Sequence, residues 1–204
     1  MSDHSTTIDP HTPLEYQSED GRLKIFGFWI FLGAEIVLFS CLFATYLLYL
    51  DHNPIGPTRD ELFEVKAFMI ETLLLLTSSF TCGLATYELR RGNLKGIMIW
   101  MIITLILGLG FLYEEISEFI TYVHEGAAIT TDAFWSGFFT LVGTHGAHVS
   151  LGILWAIGVL IQLARYKLTP VTARKLFIVS LYWHFLDVVW VFIFTAVYLT
   201  GMVL

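Results

Sequence analysis

The stretch GIMIWMIITLILGLGFLY, residues 96–113, contains 18 consecutive residues without a charged side chain. A helix of roughly 20 apolar residues spans the ~30 Å hydrocarbon core of a bilayer, so this stretch predicts a transmembrane helix, which we place at 97–120. Runs of the same kind occur at 25–50, 67–87, 134–164 and 177–203. They are continuous rather than alternating, which excludes a transmembrane β-barrel. We therefore predict an all-α, polytopic membrane protein built as a bundle of five transmembrane helices.

The composition of the whole chain agrees with this prediction. Of its 204 residues, 56% are hydrophobic and only 14% are charged, and the mean hydropathy is +0.70, which is far too apolar for a soluble domain. The short loops leave no extramembrane domain for a catalytic site, and the net charge of −7 does not suggest nucleic acid as a partner. Residues 25–204 are predicted to form one transmembrane domain. Residues 1–24 form a polar tail that we expect to be loosely ordered unless a partner holds it, and not a cleavable signal peptide.

The positions of the basic residues predict the orientation in the membrane. Nine of the eleven Lys and Arg residues lie in the tail or in the loops after the second and fourth helices, and only Arg59 and Lys66 lie on the opposite side. The positive-inside rule therefore places the N-terminus in the cytoplasm and the C-terminus outside. The sequence also predicts a helix cap at 58–61 in the first outer loop, and it predicts that Cys41 and Cys82, at different depths, form no disulfide.

Five ionisable residues fall deep inside the apolar runs: Glu35, His145, His148, His184 and Asp187. Such residues are costly in a bilayer and should face protein, water or a partner. His145 and His148 are three residues apart, as are His184 and Asp187, so each pair lies on one helical face. We predict that these faces meet and that the paired groups join the helices, so that loss of His184 or Asp187 impairs folding or assembly first. Three alternatives stay open: a metal site, a haem held between two histidines, and a proton relay.

A second set of carboxylates lies near the predicted outer ends of two helices. Glu71 belongs to the second helix, and Glu115 and Glu118 share a face of the third. We interpret them as solvated at the membrane interface; the alternative is that neighbouring helices satisfy them. Trp135 is expected in the interfacial aromatic belt, whereas Trp183 and Trp190, seven residues apart, are expected to pack between helices.

Four segments together resemble subunit III of haem-copper terminal oxidases: GFWIFLGAEIVLF (27–39), EEISEF (114–119), GTHGAHV (143–149) and YWHFLDVVW (182–190). The resemblance spans nearly the whole chain, and a five-helix chain of this length is similar to the short bacterial form of the family. The run at 13–40 is most similar to subunit III of the haem A-type menaquinol oxidases of Bacillus-like bacteria.

The resemblance implies an accessory subunit in a bacterial cell membrane, without a catalytic residue, cofactor or metal of its own. The haems and copper are expected on the catalytic subunit I, and subunits II and IV and membrane lipids are the other expected partners. The implied complex oxidises quinol, reduces dioxygen to water and pumps protons, with this chain supporting assembly, stability and proton uptake. Three alternatives remain: subunit III of a cytochrome c oxidase, a membrane cytochrome, and an autonomous proton-coupled transporter using Glu35, His145, His148 and Asp187.

Overall fold

The computed structural model describes residues 12–50 and 65–199, and within them it contains five long α-helices. These are α1 Glu19–Leu48, α2 Val65–Arg90, α3 Leu94–His124, α4 Ala133–Tyr166 and α5 Pro170–Ile193. A short 3-10 helix, Leu14–Tyr16, precedes α1, and a π-helix, Phe194–Leu199, continues α5. All five helices are long and apolar enough to cross a membrane, which confirms the prediction of a five-helix membrane protein. The cap predicted at 58–61 lies outside the described residues.

Two helices begin six or seven residues before the apolar runs that predicted them, because capping residues start them in polar sequence. The Ser18 hydroxyl accepts a hydrogen bond from the Gly21 amide at 3.0 Å, so α1 begins at Glu19 rather than at residue 25. Thr169 and Thr172 exchange side-chain-to-backbone hydrogen bonds of 2.8 and 3.2 Å in a capping box. Pro170 follows at the first helical position, where its missing N–H costs nothing. Hydropathy marks the membrane-embedded part of a helix and misses such polar first turns.

Helices α2, α3, α4 and α5 form a closed ring, and α1 lies outside it. α2 packs against α3, α3 against α4, α4 against α5, and α5 back against α2, whereas α1 packs against α4 and α5. Along α1, the buried residues from Ile25 onward are Leu32, Phe39 and Tyr46, each seven residues after the last. A seven-residue repeat buries one narrow stripe of a helix, so α1 is a peripheral helix held along a single line.

The centre of the ring is filled by Trp183 of α5. Its side chain is 2% exposed, and its indole N–H donates to the Ser78 hydroxyl of α2 at 3.0 Å. The ring system crosses to α3, where a Cβ on Gly108 would lie 2.7 Å from indole Cη2, and to α4, where a Cβ on Gly152 would lie 3.5 Å from Cζ3. Gly108 therefore makes room for an aromatic ring that touches the three other helices.

The segment 12–22, which we call the N-terminal strap, is folded against the bundle. Glu15 Oε1 lies 2.7 Å from Arg90 Nη2 at the end of α2, and the Glu15 side chain is 1% exposed. The Tyr16 ring packs edge-on against Phe177 of α5 at 5.8 Å, and the Arg22 guanidinium donates to the Tyr16 carbonyl at 3.0 Å. For these residues the expectation of a loosely ordered tail is wrong, because an ion pair and an aromatic contact fix them.

We expect Arg90→Gln to destabilise the folded protein by about 1–3 kcal/mol, because it leaves the buried Glu15 carboxylate without its partner. The matched control is Arg91→Gln. The Arg91 side chain is 62% exposed, and its ion pair with Glu88 is long, at 3.5 Å. Its loss should therefore cost less than about 0.5 kcal/mol. Thermal unfolding in detergent measures both. Equal midpoints for the two variants would show that the strap does not hold the helix ends together.

Candidate functional site: polar groups between the helices

Glu35 of α1 and His148 of α4 form a pair at the contact between these two helices. Glu35 Oε2 lies 3.1 Å from His148 Nε2, and the side chains are 13% and 18% exposed, respectively. Phe39 packs against the imidazole at a ring distance of 5.3 Å, and the Tyr182 hydroxyl donates to the His148 carbonyl at 3.2 Å. The pair is thus enclosed by aromatic groups from α1 and α5.

The hydrogen bonds of His148 fix the proton balance of this pair. His148 Nδ1 lies 2.7 Å from the Thr144 carbonyl, which only accepts, so Nδ1 carries a hydrogen. The contact between Nε2 and Glu35 then contains one more proton, on either the ring or the carboxyl group. In both cases the pair has no net charge, which lowers the cost of placing it between apolar helices.

His145, one turn away on α4, faces the interior of the ring. It is fully buried and its Nε2 donates to the Leu186 carbonyl of α5 at 3.2 Å. Its ring lies 5.2 Å from Trp190 and meets Phe111 edge-on at 5.7 Å. The two histidines therefore bond to different helices: His145 joins α4 to α5, and His148 joins α4 to α1.

His184 and Asp187 do not pair with the two histidines of α4, so the predicted meeting of the two faces is wrong. His184 Nδ1 lies 2.8 Å from the Ser79 hydroxyl of α2, on the side of α5 away from α4. Asp187 is half-buried, and its Oδ1 is a buried atom without a hydrogen-bond partner. The reason is geometric: α5 sits between α2 and α4, so its polar residues are divided between two neighbours.

Sequence reasoning also missed a ladder of hydroxyl groups on α2 that bonds to α5. The Trp190 indole donates to the Thr72 hydroxyl at 3.1 Å, and the Trp183 indole donates to Ser78 at 3.0 Å. The hydroxyls of Thr86 and Ser180 lie 2.9 Å apart. A signal was present: Thr72, Ser79 and Thr86 recur every seven residues, as Trp183 and Trp190 do, which is the spacing expected of two helices packed side by side.

We expect His184→Ala to cost about 1–3 kcal/mol of stability, because the buried Ser79 hydroxyl then keeps only its hydrogen bond to Asp187. His184→Ala/Ser79→Ala removes both groups and should cost less than the sum of the two single variants. His124→Ala, at the exposed end of α3, is the control and should leave the thermal midpoint unchanged. Strict additivity in a double-mutant cycle of thermal midpoints would mean that the two side chains do not interact.

The second set of carboxylates is buried, so their interpretation as interfacial groups is wrong. Glu71, Glu115 and Glu118 are 0%, 3% and 8% exposed. Glu118 is instead satisfied by neighbouring side chains, since it accepts hydrogen bonds from the hydroxyls of Tyr122 at 2.7 Å and Tyr198 at 3.0 Å. Glu115 lies against α4, where any side chain at position 146 would overlap its carboxyl group.

The structure also places the tryptophan and cysteine residues, for which one expectation is wrong and two are confirmed. Trp135 is fully buried rather than placed in an interfacial belt, because four aromatic neighbours surround it. Trp183 and Trp190 pack between helices as expected. Cys41 and Cys82 are both free thiols, as predicted. Within residues 12–50 and 65–199, no group of three or more His, Cys, Asp or Glu side chains is arranged to hold a metal ion.

An apolar groove runs along the outside of the bundle between α1 and α5. One cavity of about 340 Å³ contains His184 among apolar side chains, and a neighbouring cavity of about 270 Å³ is bordered by Ser40 and Phe192. The two share Ile36, Phe185 and Val188, so they form one continuous groove. Its almost wholly apolar walls suit hydrocarbon and offer few groups for chemistry.

The sequence was compared with known proteins. Residues 11–202 match the family described as cytochrome c oxidase subunit III. The chain is 63% identical to quinol oxidase subunit 3 of Bacillus subtilis over 200 residues, which cover 98% of each protein. The protein of the same name from Bacillus spizizenii is also 63% identical. The probable quinol oxidase subunit 3 of Staphylococcus saprophyticus is 55% identical over 205 residues, covering all of this chain and 98% of that protein.

Proposed function

This chain belongs to the cytochrome c oxidase subunit III family, and we propose that it acts as the accessory, non-catalytic subunit III of a respiratory quinol oxidase. The observation that carries the proposal is identity of 63% over essentially the full length of a protein named quinol oxidase subunit 3. The alignment covers 98% of each chain, so it supports the proposal for the chain as a whole rather than for one segment.

The chain is therefore one subunit of an oxidoreductase, whose complex transfers electrons from quinol to dioxygen. In this proposal the haems and copper belong to subunit I, and subunits II and IV complete the complex in the bacterial cell membrane. The contacts of the described histidines support a scaffold role. His148 uses both ring nitrogens, and His145 and His184 use one each, to bond neighbouring helices or backbone.

The orientation is part of the same proposal. The start of α1, the α2–α3 turn and the α4–α5 turn lie at one end of the bundle and contain nine basic residues, which supports a cytoplasmic location for that end. Lys66 lies at the other end, exposed near the start of α2. A membrane-impermeant amine reagent applied to intact cells should modify Lys66 and leave Lys95 and Lys167 unmodified until the cells are opened. The reverse pattern would invert the topology.

The function itself is tested by purifying the tagged chain from native membranes in mild detergent. We expect it to retrieve a haem-containing complex that oxidises quinol and does not oxidise reduced cytochrome c, while the chain expressed alone shows no visible absorbance. Oxidation of cytochrome c instead would make it a subunit of a cytochrome c oxidase. Retrieval of the chain alone, with proton-coupled uptake in vesicles, would replace the accessory role with that of a transporter.

A further inference from the structure

The wall of the apolar groove between α1 and α5 contains the imidazole of His184. The residues that line the two cavities of the groove extend from 29 to 43 on α1 and from 181 to 192 on α5. At about 1.5 Å per residue, these stretches are about 21 Å and about 17 Å long. The groove is therefore long enough for a hydrocarbon chain that lies along the two helices.

His184 lies at the level of the bilayer midplane. The last described membrane span is Pro170–Tyr198, 29 residues long, and residue 184 is its central position, about 21 Å along the helix from either end. Gly33, which lines the same cavity, is likewise central in the 30 residues of α1. The hydrocarbon core extends only about 15 Å on each side of its midplane, so the headgroups of phospholipids do not reach His184.

One nitrogen of the His184 imidazole is left for a ligand. Nδ1 is bonded to the Ser79 hydroxyl at 2.8 Å, and within residues 12–50 and 65–199 Nε2 has no hydrogen-bond partner. Nε2 is accessible from outside the protein, unlike the buried Oδ1 atom of Asp187. A polar atom that faces hydrocarbon without a hydrogen bond costs free energy. This nitrogen therefore favours a ligand that brings a hydrogen-bonding group to the midplane.

The other polar groups of the groove are few. The Ser40 hydroxyl donates to the Ile36 carbonyl of its own helix at 2.7 Å, so it is satisfied without a ligand. The Trp29 side chain is 54% exposed, and its indole N–H adds one donor to the cavity that contains His184. Among the described residues, no Lys, Arg, Asp or Glu lines either cavity. The ligand that fits is thus an uncharged molecule with a small polar head and a long apolar remainder.

We infer that the groove binds a quinol with a hydrocarbon tail. One ring hydroxyl is hydrogen-bonded to His184 Nε2, and the tail lies on the apolar wall towards Phe43 and Phe192. A phenolic hydroxyl both donates and accepts, so it pairs with Nε2 in either tautomer of the imidazole, whereas the acyl chain of a phospholipid has no such group at this depth. The inference rests on the proposed function, which supplies quinol as the substrate, and it adds a substrate-binding site outside the catalytic subunit.

Gly33 keeps the groove open beside His184. A Cβ at position 33 would meet no atom within 4 Å, although the residue lines the cavity, so a larger side chain there enters the groove without disturbing the packing of α1. Gly27 is the matched position on the same helix. It is exposed, a Cβ there would also meet no atom within 4 Å, and it lines neither cavity.

The test uses the whole purified complex and a short-tailed quinol with a photoreactive azide on its ring, illuminated without dioxygen so that the probe stays reduced. We expect this chain to be labelled within residues 29–43 or 181–192, and excess unlabelled quinol to abolish the label. Gly33→Leu should lower the labelling of this chain about tenfold, and Gly27→Leu should leave it unchanged. His184→Leu should lower it about fivefold, the value of one hydrogen bond.

Equal labelling in Gly33→Leu, Gly27→Leu and the unaltered complex would overturn the inference. So would displacement of the probe by phosphatidylglycerol as effectively as by unlabelled quinol, because the groove would then hold acyl chains. If His184→Leu does not assemble, the two glycine variants decide the result. A complex that oxidises quinol without labelling of this chain contradicts only the inference, whereas a complex that does not oxidise quinol contradicts the proposed function.

Discussion

Gly108→Ala is expected to destabilise the complex by about 1–3 kcal/mol, a roughly 5- to 150-fold fall in the ratio of folded to unfolded protein. The new Cβ would lie 2.7 Å from Cη2 and 2.8 Å from Cζ2 of the Trp183 indole. The indole has little room to retreat, because its N–H is bonded to Ser78 and Gly152 of α4 lies beside Cζ3, the ring atom next to Cη2. The yield and thermal midpoint of the assembled complex measure the effect.

The control lies two residues away on the same helix. A Cβ on Gly110 would meet a methyl group of Leu74 at 3.6 Å, which is ordinary van der Waals contact, so Gly110→Ala should change stability by less than about 0.5 kcal/mol. Trp183→Phe, which has a smaller ring, should recover part of the stability lost in Gly108→Ala. If both glycine variants behave alike, the ring of helices does not close on Trp183 as described.

The second large effect is expected when the pair between Glu35 and His148 is broken. Removing one partner of a fully buried ion pair costs about 3–5 kcal/mol; with side chains 13% and 18% exposed, this pair should lie at the low end, near 3 kcal/mol, for Glu35→Ala. Glu35→Gln keeps a hydrogen-bonding group beside Nε2 and should cost much less. The measurements are the amount of complex that assembles with this chain and the thermal midpoint of that complex.

A double-mutant cycle isolates the contribution of the pair. Glu35→Ala/His148→Ala should be more stable than the sum of the single losses predicts, because no unpaired group is left behind. The exposed pair of Asp20 and Lys24, 2.7 Å apart but 63% and 55% exposed, provides the comparison and should show a coupling below about 1 kcal/mol. A coupling equally small for Glu35 and His148 would contradict an assembly role for the buried pair.

The sequence was sufficient to predict the five helices, because each apolar run has the length that a bilayer requires. It also identified Glu35 and His148 as candidates, since a charged residue in an apolar run needs a partner. It did not identify which partner each would have. Spacing along one helix groups residues by face, but the neighbour that a face meets depends on the ring of helices, which placed Ser79 rather than the α4 histidines beside His184.

The second set of carboxylates shows a different limit of sequence reasoning. Glu71, Glu115 and Glu118 lie close to helix ends, where solvation is usual, and the sequence does not show that Tyr122 and Tyr198 bond to Glu118. The Tyr198 contact spans 80 residues of chain and depends on the π-helix at the end of α5. The strap was missed for the same reason: only the folded bundle brings Arg90 to Glu15.

The attachment of α1 has a consequence for biosynthesis. Its carboxyl group at position 35 is bonded to an imidazole 113 residues further along the chain. At about 5–20 residues per second, a ribosome needs roughly 6–23 s to deliver that imidazole. During that interval α1 is in the lipid with its carboxyl group unpaired and with neither of the helices it packs against. We therefore expect α1 to insert with a penalty of about 2.5–3.5 kcal/mol at most, which is relieved only when α4 brings His148 beside it.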